Sequence, residues 1–469
     1  ILKFNIINFM VKKSLYISPY ILISIIILNS LINLLGFDFI EKINYFDIVS
    51  GILLFIYLIL FGQLVDKLFN FQNISISIIF YLFSFFIIDV AILFFYHNLS
   101  FSQVFVFTNI VWLSYFLIKK RDLKFVFYIA LSYFSLNYFI NNFKTFLTKN
   151  NNLLGDVDAV FFDQALNIYE NSYYFSITNY IMEGYPQFIS YFQSLFLRIS
   201  TNTSVYDYYS FTSHIIFYLS ILFFFELKIS FKNKVLISVL FSFLILNSLW
   251  LQFLFTSSLM SEGIVSLFTA VLIFYVFDNI ERNNFVDYLS IFLLGFLYFS
   301  KQFNSSIVLF SIIVLIFYKE KKLLTTIGFL GFLLKELLFI FVFPEISKEH
   351  HIRQIDLQDT FIDLLILRDL KFENILLILK NLWIDKPITI LLLIFYMTFL
   401  LNSVILKRVN TSDILLFLLV NLNLILIFSL YISAWQNMEL ESPIRYILNF
   451  FHLTLVCIFL NLKKIPKIK

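Results

Sequence analysis

Runs of about twenty apolar residues, each long enough to cross the hydrocarbon core of a bilayer, recur along almost the whole chain. They lie at 15–35, 48–65, 76–96, 101–118, 125–140, 206–225, 235–254, 260–277, 285–299, 303–318, 323–343, 387–406, 414–432 and 444–462. The pattern predicts an all-α polytopic membrane protein with about fourteen spanning helices. Two long polar segments, 141–205 and 344–386, interrupt it. Within the first, 165–170 has a helical pattern, and a run at 187–199 is apolar but too short to span easily. That run carries Gln187, Gln193 and Arg198, so a helix lying in the interface or re-entering the same face is expected.

Composition agrees with the pattern. Hydrophobic residues make up 60% of the 469 residues and charged residues 14%, at a mean hydropathy of +0.89. That excludes a soluble globule, whose charged share would be nearer a quarter. Cys457 is the only cysteine, which rules out an intrachain disulfide and any cysteine-based zinc or iron–sulfur site. Met10 ahead of Lys12, Lys13 and the first apolar run reads as a natural start, with 1–9 preceding the native chain and the first run an uncleaved span.

Net charge is only +4, so it gives no reason to invoke nucleic acid, and the distribution of Lys and Arg matters more. With the N-terminus inside, the inner connections receive Lys67, Lys119, Lys120, Arg121, Lys124, Lys228, Lys232, Lys234, Arg282, Lys319, Lys407, Arg408 and the basic C-terminal tail. The short outer connections hold only Lys42 and Lys301. The positive-inside rule therefore predicts a plasma-membrane protein with both termini cytoplasmic and both long loops external. This parity requires that 187–199 not cross.

The chemistry is concentrated in the first external loop. Gly155-Asp156-Val157-Asp158-Ala159 is followed by Asp163, and Glu183-Gly184-Tyr185-Pro186 opens the short apolar helix. Carboxylates spaced i, i+2 can converge from a turn, where they could hold a divalent cation such as Mg²⁺ or Mn²⁺ or deprotonate an acceptor hydroxyl. A solvated acidic turn is the plainer alternative.

GDVDAVFFDQALNIYEN followed by EGYPQFISYFQSLF resembles the first external loop of integral-membrane glycosyltransferases of the GT-C fold. These include protein mannosyltransferases, oligosaccharyltransferase catalytic subunits and the lipid A aminoarabinose and galacturonic acid transferases. The resemblance is close over 155–199 and elsewhere is one of span pattern. It implies a GT-C-like transmembrane bundle whose helical external loop bears the acidic motif, and a polyprenyl-phosphate sugar as donor. It implicates Asp158 as the catalytic carboxylate, Asp156 as its partner, and Tyr185-Pro186 as the helix entry. The chain departs from the family in having five spans before this loop where one is usual, and in lacking a directly adjacent Asp-Glu pair, which leaves the order of Asp156 and Asp158 open.

Further candidates lie outside that loop. Glu262, after Ser257, Ser258 and Ser261, resembles the family's second-loop acidic residue and would equally suit a helix N-terminus. Lys301 resembles the basic residue between two spans that faces a lipid phosphate; snorkelling to the interface is its alternative. Arg445-Tyr446 resembles a late-span motif in which the arginine reads the donor phosphate, and an interfacial anchor is its bland reading. Arg353, with His350 and His351, sits in the second external loop and could face a phosphate, while adjacent histidines make a poor metal site. Glu183 joins Tyr185 at the donor or acceptor site. Lys335-Glu336 and Asp89 fall inside spans, where charges normally face a cavity or a partner.

The expected organisation is additional N-terminal helices over 1–122, a catalytic module over 123–343 with the external loop 141–205, the loop 344–386, and C-terminal helices over 387–469. The expected function is transfer of a sugar from a polyprenyl-phosphate donor to a lipid, glycan or protein acceptor on the outer face. Two other readings remain: a transporter or flippase of lipid-linked saccharide, and a polysaccharide polymerase or ligase.

Overall fold

The computed structural model describes residues 45–143, 163–179, 188–200, 205–248, 251, 261–278, 285–297, 322–343, 376, 380, 386–433 and 450–464. Every regular element among them is helical: α1 Tyr45–Phe69, α2 Ile74–Leu93, α3 Phe101–Lys120, α4 Leu123–Phe143, α5 Asp163–Glu170, α6 Tyr173–Asn179, α7 Phe188–Ser200, α8 Val205–Glu226 and α9 Phe231–Asn247. There follow α10 Ser261–Asp278, α11 Phe285–Phe296, α12 Lys322–Phe341, α13 Lys386–Leu400 with a π-helical turn Leu401–Ile405, α14 Thr411–Ser433 and α15 Phe451–Lys464. The chain is an all-α protein. Among the described residues five helical stretches, Val49–Phe69, Ile74–Leu93, Phe101–Lys120, Leu123–Asn142 and Lys386–Ile405, are long and apolar enough to cross a membrane. The expected spans 15–35 and 303–318 lie outside the described residues.

The helices start and stop where local chemistry dictates. Ser100 and Gln103 form a reciprocal capping box at the start of α3, and Arg121 ends α3 in the left-handed conformation. The Asp122 side chain then accepts the Phe125 N–H at 3.1 Å, so α4 begins after the shortest of links. At α2, Asn73 caps Ile76, while Glu226 at the end of α8 accepts the N–H groups of Ile74 at 2.5 Å and Ser75 at 3.0 Å. A carboxylate at a helix N-terminus satisfies orphan donors and complements the helix dipole.

One expected span is displaced. The run at 235–254 forms a helix that begins earlier, at Phe231, and ends at Asn247. Ser248 is extended, and its hydroxyl accepts the Leu251 N–H at 3.2 Å. Ser side chains compete with the helical ladder in this way, which periodicity alone does not reveal.

Several contacts fix one end of the bundle, here the basic end. Lys67 pairs with Asp122 at 3.7 Å and lies over the Phe125 ring, joining the end of α1 to the α3–α4 link. Lys234 donates to the Phe225 carbonyl, and Glu226 meets the start of α2. Phe71, Asn73, Glu226, Lys228, Phe274 and Tyr275 line one cleft there, with about 500 Å³ of empty space open to the surroundings. α10 therefore ends at the basic end, and its first turn lies at the opposite end.

The core is aromatic. Phe83, Phe86, Phe188, Phe192, Phe268 and Phe296 interlock where α2, α7, α10 and α11 meet, mostly in edge-on or tilted pairs. His452 ties α15 to α8 and α10. Ser220 donates its hydroxyl to the Ile216 carbonyl at 2.7 Å, so it accepts from His452 Nε2 at 2.8 Å. Ser266 accepts the His452 backbone N–H at 3.1 Å and donates to Nδ1 at 2.8 Å. Each proton has one place to go, which selects the neutral imidazole with its hydrogen on Nε2.

Candidate functional site

α5, α6 and α7 sit at the end of the bundle opposite the basic residues. α4 starts at the basic end and α8 finishes there, so the connection between them begins and ends at the far side. α7 has 13 residues, a length of about 20 Å, against a hydrocarbon core of about 30 Å. It is therefore too short to cross a bilayer upright. What the sequence did not foretell is its depth: from Phe188 to Leu197 every α7 side chain is buried. α7 is enclosed by protein and does not rest on a lipid surface.

Local chemistry holds this segment together. Ser172 Oγ accepts the Phe175 N–H at 3.0 Å and starts α6. Ser190 donates to Gln164 Oε1 at 2.9 Å, and Ser194 donates to the Ala165 carbonyl at 2.7 Å, which fastens α7 along α5. Such hydroxyl bonds let helices approach closely where water is scarce. Gln164 is fully buried, and its Nε2 has no hydrogen-bond partner among the described residues. Arg198 is placed over the Tyr169 ring at 5.8 Å. His97 and Phe343 stack on Tyr174 at 4.8 and 5.4 Å, bringing the end of α12 to the same side.

Most of the expected site residues lie outside the described residues: Asp156, Asp158, Glu183, Tyr185, Lys301, His350, His351, Arg353 and Arg445. Their flanking helices are described. Asp158 precedes the start of α5 by five residues in sequence, and Tyr185 precedes that of α7 by three. Glu262 lies in the first turn of α10, at the same end of the bundle as α5–α7. Arg353 follows α12, whose end meets α6 through Phe343 and Tyr174. Among the described residues no group of His, Cys, Asp and Glu could hold a metal ion.

Two residues expected inside spans have described surroundings. Lys335 is buried with Glu336 beside it. Asp89, 3% exposed, lies beside Tyr191 of α7 and Tyr173 of α6, and its Oδ2 has no hydrogen-bond partner among the described residues, while the Tyr191 hydroxyl donates to the Phe85 carbonyl at 3.1 Å. A charged residue at the centre of a spanning helix costs roughly 2.5–3.5 kcal/mol on insertion scales. Leu in place of Asp89 would carry no such cost. Sequence flagged Asp89 as mid-span and left its neighbours open, because Tyr191 lies 102 positions away.

No family model, curated protein or solved structure matches this chain. Function must therefore be argued from these residues alone.

Proposed function

We propose that the protein is a membrane glycosyltransferase that moves a sugar from a polyprenyl-phosphate donor to a lipid, glycan or protein acceptor at the end of the bundle opposite the basic residues. The observation that carries this reading is the acidic Gly155-Asp156-Val157-Asp158 sequence, followed by an Ala-containing helix and then by Tyr185-Pro186 and a short apolar helix. α5 and α7 supply the two helices that this pattern calls for. In this reading Asp158 removes the proton of the acceptor hydroxyl as it attacks the anomeric carbon, the polyprenyl phosphate departs, and the carbon inverts. Arg445, Lys301 and Arg353 would neutralise the departing phosphate, with a guanidinium offering two parallel donors.

The test is sugar transfer from a polyprenyl-phosphate donor by purified wild type, Asp156→Asn, Asp158→Asn and Asp163→Asn at matched folded amounts. Loss of a general base lowers the rate by about 10² to 10⁴. Asp158→Asn is expected to show that loss with unchanged detergent melting, and Asp163→Asn to show much less. Full activity in both the Asp156 and Asp158 variants refutes the assignment; recovery on added Mg²⁺ or Mn²⁺ makes the pair metal ligands instead.

A further inference from the structure

The cleft at the basic end of the bundle is built from three parts of the chain. Phe71 and Gln72 come from the α1–α2 link, Glu226 and Lys228 from the end of α8 and the residues just after it, and Phe274 and Tyr275 from α10. Its rim is fixed in advance. Asn70 and Gln72 both take the left-handed conformation, and Asp66 holds them there, its carbonyl accepting the Asn70 N–H at 2.6 Å and its carboxylate the Gln72 N–H at 2.7 Å. Phe71 and Tyr275 are buried in the wall, edge-on with ring centroids 6.3 Å apart, while Gln72 and Lys228 are exposed. What the cleft offers a ligand is decided by Glu226. Its two carboxylate oxygens each accept one backbone N–H of α2, from Ile74 and Ser75, and so fill the helix N-terminus where an anion would otherwise sit. A carboxylate has about four acceptor positions, so roughly half stay open. Glu226 has no ion pair among the described residues: Lys67 is paired with Asp122, and Lys234 donates to the Phe225 carbonyl.

A carboxylate with open acceptor positions beside aromatic rings is the combination that holds an ammonium carrying its own N–H donors. Lys228, at the same rim, suits an anion attached to that ammonium. The cleft's space of about 500 Å³ is in the range of small-ligand sites. We infer that this cleft binds the primary ammonium of a zwitterionic phosphodiester, as in an ethanolamine headgroup, with the ammonium between Glu226 and the rings of Phe274 and Tyr275 and the phosphate toward Lys228. The site is independent of the glycosyl-transfer reading, since α5–α7 occupy the other end of the bundle.

Gln72→Cys in a Cys457→Ser background places a reporter thiol on the rim. Its labelling by a maleimide is followed in detergent micelles containing phosphatidylethanolamine, phosphatidylglycerol with the same acyl chains, or soluble glycerophosphoethanolamine. Phosphatidylethanolamine is expected to slow labelling saturably, and phosphatidylglycerol, which has the phosphate and no ammonium, to leave the rate unchanged. Adding Tyr275→Leu, which keeps an apolar side chain and removes the ring, is expected to raise the protecting concentration about two- to thirtyfold. Adding Glu226→Gln, which keeps an oxygen for α2 and removes the charge, is expected to raise it about ten- to a hundredfold. Protection by the lipid and not by the soluble ester identifies the membrane as the source of the ligand, and protection by the soluble ester alone identifies a free zwitterion; both uphold the ammonium site. Equal protection by phosphatidylglycerol overturns the inference, as does labelling that none of the three slows. If Glu226→Gln lowers the melting temperature, Tyr275→Leu decides alone, and unchanged protection in it overturns the site.

Discussion

At the scale of single residues, the polar side chains inside the bundle do defined jobs, and His452 is the clearest. Ser266 makes two bonds to His452, accepting from its backbone and donating to its ring, whereas Ser220 makes one, accepting from the ring. Removing the Ser266 hydroxyl leaves two buried groups unpaired, a penalty of about 1–3 kcal/mol per group in water-soluble proteins. Measured interhelical bonds in membranes average only about 0.6 kcal/mol, because the unfolded reference state also finds partners. Ser266→Ala is therefore expected to destabilise by about 1–2 kcal/mol and Ser220→Ala by less, read as unfolding midpoints in mixed micelles. Equal effects would contradict the double role of Ser266. None of this was legible in the sequence, since His452 lies 232 and 186 positions from its partners.

Among elements, sequence reading succeeded where one period decides. The helical runs expected at 165–170 and 187–199 are α5 and α7, displaced by one or two residues. α6 went unread because it has only seven residues, too few for any period to show. Helix crossings were equally hidden, and Gly331 illustrates why. A methyl group there would overlap the Phe292 carbonyl and come within 3.2 Å of Gly295, so α12 lies backbone to backbone on α11. At Gly62 of α1 the added methyl would meet side-chain Cγ1 of Ile78 at 2.5 Å, with backbone no nearer than the Ile74 carbonyl at 3.4 Å. Overpacking costs about 1–3 kcal/mol, more where backbone must move. Gly331→Ala is expected to lower detergent melting clearly and Gly62→Ala to do so less; the reverse order would show that α11 and α12 can part without loss.

Across the whole molecule, the helix ends sort into two sets. The basic end carries Lys67, Lys119, Lys120, Lys124, Lys228 and Lys234, and α5–α7 occupy the other. By the positive-inside rule α5–α7 are expected outside. In a Cys457→Ser background, Glu170→Cys is expected to react with an impermeant thiol reagent added to intact cells, and Lys119→Cys only after permeabilisation. Labelling in the opposite sense would invert the bundle and move the proposed chemistry to the cytoplasm. The same geometry has a consequence for how the chain is made. The carboxylate that completes the first turn of α2 comes from Glu226, 152 residues downstream of Ile74. At about 5 to 20 residues per second of synthesis, that partner emerges roughly 8 to 30 s later. Until then the first amides of α2 lack that carboxylate, so the arrival of Glu226 closes an assembly step, and a ribosome stalled before it leaves a nascent chain in which α2 is unfinished.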